Sequence, residues 1–598
     1  MRRPFALAYL LPVAFLAACG SDSSSNPKCD VDSTLGVVQS IFDTHGCTAS
    51  TCHGADPSEA AANLDLRPEN LYDNVVNVAA STANLALVFP GNEERSVLYL
   101  KLAAKTLGTN LAESGISGGA MPSTSGVLTE EELEVVRMWI RGGVPRVGVV
   151  ADAPDVLGCG ADLKPSPNKL PPLPPPDADK GIQFYSGGWA LPAESEDEVC
   201  YVTYHDYTDR VPENVKLPCP EAYGGPDREC FGYSNILLAQ DPQSHHSIIE
   251  SYIPPADKPE QWDPKYGVWK NWQCVDGPDT GMPCDPMLEG MCGELGVCAT
   301  APYTSLGCTG YPNGPRDLSN VAGFFGQSTT RQNIVVGQEA TFIEDYPPGV
   351  YGVMPVVGFT IWNSHSFNLT QEDTTVAQYM NFTYIASEDR QYQREDLTNL
   401  NDIFAMGTVA PFTSKQACAT FALPVGTRMV TLTSHTHKYG TDFRIWYPPN
   451  DACDRGGPDC LAPDREPDYR SFFYQDPLYQ RFDENNSLEL DSPDERDRTF
   501  RYCAIWDNGE TDPQAVRKHS ERPDASTCDF GAVNAFVGGC GCEPEERACL
   551  GGPNQGMICN GDNAVCGSGG VCDACPVWGG VTTEEEMFGV LGAYYVVD

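Results

Sequence analysis

Basic side chains are scarce in this chain: 38 Lys and Arg face 82 Asp and Glu across 598 residues, a formal charge of −44. That balance excludes the basic footprint a nucleic-acid binder needs. It equally disfavours docking on anionic lipid through protein surface charge. Long apolar runs are missing after the first twenty residues, so no later segment reads as a transmembrane helix. Histidine is rare, nine residues in all, which gives every histidine cluster weight. Long helical patterns are few, because 57 Gly and 49 Pro cut the chain into short segments. Cysteine is the opposite case: 25 residues are far too many for a reduced cytosol and point to an oxidising compartment. At 41% hydrophobic and 20% charged residues the composition is globular, and the length suggests about three or four domains.

Residues 1–19 read as an export signal. Arg2 and Arg3 precede the apolar run Phe5 to Ala18, which ends in Leu16-Ala17-Ala18-Cys19. These four residues resemble the bacterial lipobox, which implies cleavage before Cys19 and its acylation; the alternative is an ordinary cleaved signal with a chance cysteine. Residues 20–29 form a polar tether. The expected location is the bacterial cell envelope, with lipid as the only membrane anchor. Gly20 is not the acidic residue that resembles an inner-membrane retention signal, which favours the outer membrane.

Residues 30–146 carry helical spacing. Leu35, Val38, Ile41 and Phe42 follow the N-cap candidate Ser33. Thr129 and Glu132 make a capping box that opens a helix with Leu133, Val136, Trp139 and Ile140 on one face. Residues 147–179 are a Pro-rich linker containing the polyproline stretch Lys164 to Pro176. From 180 onward, short β-branched and aromatic runs alternate with Gly, Pro, Asn and Asp turns. That texture predicts antiparallel β-sandwiches, jelly-roll-like, in two lobes at 180–390 and 391–598. One repeat stands out: Cys274 and Cys284 followed by Cys292 and Cys298, and Cys549 and Cys559 followed by Cys566 and Cys572. Such Gly-rich loops cannot bury a core and are expected to be stapled by disulfides; a zinc site is the alternative, though neither loop holds a histidine.

Cys47-Thr-Ala-Ser-Thr-Cys52-His53 places a histidine directly after the second of two cysteines. This is the arrangement of c-type haem attachment, with four intervening residues in place of two. A Cys47–Cys52 disulfide is the other reading. With Gly118-Gly-Ala-Met121-Pro122 and the helix ending at Trp139-Ile-Arg-Gly-Gly143, the segment resembles the small cytochrome c domains fused to bacterial envelope proteins. The resemblance implies a small all-α cytochrome c-like domain over 30–146. It also implies a covalent haem on Cys47 and Cys52, with His53 as proximal ligand and Met121 as distal ligand. Met121 could instead fill the core.

Random placement of nine histidines gives on the order of 0.14 adjacent pairs, yet the chain holds both His245-His246 and His435-Thr-His437. On a strand, period two sets His435 and His437 on one face. His245 and His246 cannot share a face without a strand end or kink. The order of an adjacent pair, then His365, then His-x-His, then Met587 in an acidic segment resembles the type II copper, ascorbate-dependent monooxygenases. That is the family of peptidylglycine α-hydroxylating monooxygenase and dopamine β-hydroxylase. The resemblance implies two copper ions. His245, His246 and His365 would hold an electron-transfer copper; His435, His437 and Met587 would hold a catalytic, oxygen-binding copper. Ser247 stands where animal enzymes often carry Met, and the Cys-rich loops are foreign to them, so the substrate is open.

The expected function is therefore hydroxylation of a C–H bond in a small-molecule or peptide substrate with O2. The haem would feed electrons that reach it from a periplasmic donor. Two rivals remain at this point: a non-catalytic copper and haem electron-transfer lipoprotein, and a hydrolase resembling peptide N-glycosidase F on a similar fold.

Overall fold

The computed structural model describes residues 32–597 except 57, 59, 84, 112–114, 124–125, 152, 157–164, 266–270, 301–302, 305–330, 400–405, 450–464, 473, 475–476, 484–485, 522–541 and 580–584. The lipobox expected at Cys19 and the tether expected over 20–29 lie outside the described residues.

At the start of the chain, helix α1 (Thr34–Thr44) opens where the Ser33 hydroxyl accepts from the Gly36 amide. Short α2 (Leu71–Val75) and α3 (Val97–Thr106) follow. Helix α4 (Glu130–Arg141) opens on the Thr129–Glu132 capping box and buries Leu133, Val136, Trp139 and Ile140. These side chains close on Val38, Ile41, Phe42, Leu71 and Leu102.

The expectation of an all-α cytochrome c-like domain followed by two jelly-roll-like lobes is corrected here. The described chain is predominantly strand, and helices are a small share of it. Even within 32–156 the short helices are separated by turns and isolated bridges, such as Val76 to Val88 and Ala86 to Ser96. The Gly, Asn and Pro residues of these connections cannot extend a helix. Nor does the segment stand apart from the strands. The Thr341 hydroxyl donates to the Pro90 carbonyl at 2.7 Å, and the Asn92 amide donates to the Thr341 carbonyl at 3.1 Å. Arg95 pairs with Asp345, and Arg481 with Glu94. Gly91 sits at this seam with φ +81°, where a Cβ would lie 2.4 Å from the Thr341 hydroxyl oxygen, so only glycine fits.

Two seven-stranded sheets form the first sheet pair. One runs Gly181–Leu191, Thr374–Tyr384, Glu229–Gln240, Val350–Pro355 and Tyr392–Gln393, with Lys216–Pro218 and Thr341–Asp345 also on Glu229–Gln240. The other runs Trp272–Val275, Val297–Thr300, Ser195–Asp206, Val357–Asn368, Ser244–Tyr252 and Arg331–Gly337, with Tyr303–Thr304 on Ser195–Asp206. Trp189, Tyr201, Phe231, Tyr233, Trp362 and Phe382 fill the space between them. The second pair has a five-stranded sheet built on Glu395–Asn399, Gly589–Val596 and Thr427–His435. Its partner is a four-stranded sheet of Thr413–Ala422, Thr499–Asn508, Gly440–Trp446 and Tyr469–Ser471. Leu432, Ile445, Phe500, Tyr502, Trp506 and Phe588 make that core. Nearly all pairing is antiparallel; Val350–Pro355 with Tyr392–Gln393 is parallel.

The polyproline stretch is not a free spacer. The Gln183 and Asn381 amides donate to the Leu173 and Pro174 carbonyls, and Lys169 pairs with buried Asp241 at 2.7 Å. Such a backbone has no internal partners, so its carbonyls are available to side chains of the sheet. The two Cys-rich loops share one connectivity: Cys274–Cys292 with Cys284–Cys298, and Cys549–Cys566 with Cys559–Cys572. Cys418–Cys503 ties adjacent strands of the four-stranded sheet. Among the described residues no helix is long and apolar enough to cross a membrane.

Candidate functional site

The antiparallel register of Ser244–Tyr252 on Val357–Asn368 sets His246 directly opposite His365, and the next pairing is Ser244 with Ser366. The ladder thus skips His245, which is the extra residue of a β-bulge. The kink that an adjacent pair requires is present. The side chain of His245 lies outside the described set. His246 and His365 are both buried, and the His365 Nδ1 and His246 Nε2 atoms are 3.3 Å apart.

His435 ends the strand Thr427–His435, and His437 lies two residues beyond it. The sequence reading assigned these two to a separate pocket with Met587. The structure instead brings them to His246. Ring centroids of His246 and His435 are 4.9 Å apart, His435 and His437 5.2 Å, and His365 and His437 6.3 Å. Ligand atoms of His246, His435 and His437 all lie within 4.8 Å of one another. The physical reason is the packing of the two sheet pairs. The turn after Arg331–Gly337 carries Gln338 across to the second pair, where its amide donates to the Ser434 carbonyl at 3.1 Å.

Outer contacts fix the rings. Gln338 Oε1 meets His435 Nδ1 at 3.2 Å, and the Glu585 carbonyl meets His437 Nδ1 at 2.7 Å. Metal-bound histidines are commonly held this way, one nitrogen engaged and the tautomer set so that the other can serve as a donor. The Glu586 carboxyl accepts from the amides of His437 and Tyr439 and from the Trp506 indole, and burial pushes it up to about 8. Met587 follows directly and is 6% exposed. Residues 581–584 of its acidic segment lie outside the described residues. Ser247 is fully buried and donates to Gln240, which explains a small polar residue there.

Sequence reasoning missed Gln338, Glu585 and Glu586. The first carries no signal in the chain. The other two were legible only as part of an acidic run, which usually marks a solvated face.

The second candidate site is a cavity of about 610 Å³, in the ordinary range for a ligand pocket. Phe42, Leu66, Leu98 and Leu102 give it an apolar wall, and Cys47, Cys52, His53 and Met121 all line it. Cys47 and Cys52 are free thiols, so the disulfide reading of this pair is set aside. Burial pushes the Cys47 thiol up to about 11, and the Cys52 charge adds to the effect. The His53 Nδ1–H donates to the carbonyls of Ala61 and Leu64 at 3.0 and 3.2 Å, which leaves Nε2 as the nitrogen available to a ligand. Lys101 also lines the cavity: its ammonium donates to the Ser117 and Gly119 carbonyls, and its own carbonyl accepts from the Met121 amide.

Of the remaining described histidines, His45 and His205 have hydrogen-bond partners. His45 meets Glu132 at 2.8 Å. His205 is buried against the Pro355 carbonyl, and desolvation holds it down to about 4. His519 is shifted down by burial and by Arg547.

No family model and no curated protein matches the chain. Among solved structures, the major capsid protein P2 of bacteriophage PM2 aligns with 54% of this chain and 97% of its own length, at 9% identity and TM-score 0.17. The STIV MCP aligns with 55% and 96%, at 9% identity and TM-score 0.14.

Proposed function

We propose that this chain is a copper-dependent monooxygenase of the bacterial cell envelope, with a covalently held haem as its electron entry. The observation that carries the reading is the convergence of four buried imidazoles from strands nearly two hundred residues apart in sequence. Buried imidazoles gathered this closely cannot all be protonated, and a metal resolves their shared lone pairs. Imidazole suits copper, and a thioether from Met587, which follows the Glu586 brace on His437, would bias the site toward Cu(I).

Bound copper would supply the one-electron and oxygen chemistry that side chains lack, and bound haem would supply electron storage. The chain's own part is geometric. Gln338 and the Glu585 carbonyl orient two of the rings, and burial excludes water. Cys47 and Cys52 would tether the macrocycle, and His53 and Met121 would offer ligands to its iron. The net reaction is substrate–H, O2, two electrons and two protons giving substrate–OH and water. The electrons would come from a periplasmic reductant. The export and acylation expected at Cys19 put this chemistry at the envelope.

The test is metal and haem analysis of the purified soluble chain, together with O2 uptake under an external reductant. Copper binding, a c-type haem spectrum and reductant-dependent O2 uptake with a hydroxylated product are expected. Copper binding with no O2 uptake under any reductant would leave an electron-transfer protein. No copper at all would end the proposal.

A further inference from the structure

We infer that His246, His365, His435 and His437 form one metal centre astride the boundary between the two sheet pairs, and not two separate pockets. The inference rests on the copper reading above and goes further, to how many ions are held and by what.

His246 is the shared member. Its Nε2 is 3.3 Å from the His365 Nδ1. Two nitrogens bound tetrahedrally to one ion at about 2.0–2.1 Å stand about 3.3–3.4 Å apart, so these two are already spaced as donors to a single ion. His246 also belongs to the group in which the ligand atoms of His435 and His437 all fall within 4.8 Å. An ion on His246 and His365 and another on His435 and His437 would be close neighbours. Two cations that close repel each other unless an anion lies between them. Glu586, the carboxyl that reaches His437, is already engaged by two backbone amides and an indole.

The donors come from both sides of the boundary. His246 and His365 stand opposite each other in the first pair, and His435 ends a strand of the second with His437 two residues beyond it. Gln338 spans the same boundary beside them, donating to Ser434 and meeting His435. An ion in the middle therefore joins the two sheet pairs as well as its ligands. Ligand binding stabilises whatever holds it, so the ion and the closed boundary are thermodynamically linked.

The experiment is titration of the full-length, chelator-treated chain with copper ion alone, followed by calorimetry and EPR, with thermal melting before and after loading. One tight equivalent per chain beyond the haem iron is expected, with a raised melting temperature. His365→Ala and His437→Ala, on opposite sides of the boundary, should each weaken that same equivalent by at least about tenfold. His365→Asn and His437→Gln serve if the alanine variants misfold, and the wild-type count needs no variant. Two equivalents in the wild type, with each variant losing one and leaving the other at full affinity, would overturn this inference while leaving the copper reading intact. Absence of any copper binding would overturn both.

Discussion

The two candidate sites were built in opposite ways. Around the thiol pocket the key residues are neighbours in sequence: Cys47, Cys52 and His53 fall on one loop after α1, and only Met121 arrives from a distance. The histidine cluster takes one ring from each of two paired strands and two more from the end of a strand of another sheet pair and the residues just beyond it. A local site survives small shifts of the surrounding fold. An assembled site exists only while the boundary between sheet pairs is closed. The local site should therefore fail through its own residues, and the assembled site through residues that never touch a ligand.

The largest effect should come from the local site. Cys47→Ser with Cys52→Ser should abolish covalent haem altogether, read by haem staining of the denatured chain, while copper uptake is unchanged. Loss of copper together with haem would show the sites are not independent.

Next is the long-range staple in the sheets that carry His435. Cys418 and Cys503 are 85 residues apart, so on the chain-entropy account removing both should cost about 4–5 kcal/mol. The 13-residue Cys559–Cys572 link should be worth about 3 kcal/mol. Denaturant unfolding of the two double-serine variants measures the difference, and equal costs would argue that the second sheet pair does not depend on its long-range closure.

The seam between the helical segment and the sheets should respond to pH. Burial pushes Glu339 from its ordinary 4.5 up to about 7, against the pull of Arg141. A carboxyl raised on folding binds its proton more tightly in the folded state. Its contribution is therefore fully present below about pH 4.5 and is lost as pH climbs through 7. The loss should approach about 3 kcal/mol. Wild type should fall in melting temperature relative to Glu339→Gln over that window, and parallel pH profiles would contradict the assignment.

The smallest expected effect sharpens the assembled site. Gln338→Ala leaves every ligand in place but removes the partner of His435 and the link to Ser434. Copper affinity should fall about 10–100-fold, the usual cost of losing a metal ligand's hydrogen-bond partner. An unchanged affinity would mean the rings are held without the boundary.

Particular residues show how far the chain alone could be read. The Thr129–Glu132 box and the Ser33 cap were legible because capping is settled within four residues. The repeated Cys loops announced themselves by spacing, though not their shared connectivity. The helical texture of 30–146 was misread as an all-α domain, since periodicity marks helices but says nothing of the turns and bridges between them or of the seam at Thr341. The requirement for a kink at His245-His246 was legible from strand period; its form as a bulge was not. The division of the histidines into two pockets was what the family resemblance implied, and a resemblance in motif order carries no distances. Gln338 was invisible, because a lone glutamine has no local signature for what lies across a boundary.

By itself, then, the sequence determined the cysteine-rich composition, the thiol–histidine loop and the inventory of donors, all of which are matters of composition or short spacing. Only the tertiary structure decided that His246 belongs with His435 and His437 as much as with His365. That outcome depends on strand register and on the packing of one sheet pair against another, and those are set by the burial of side chains dispersed along the whole chain.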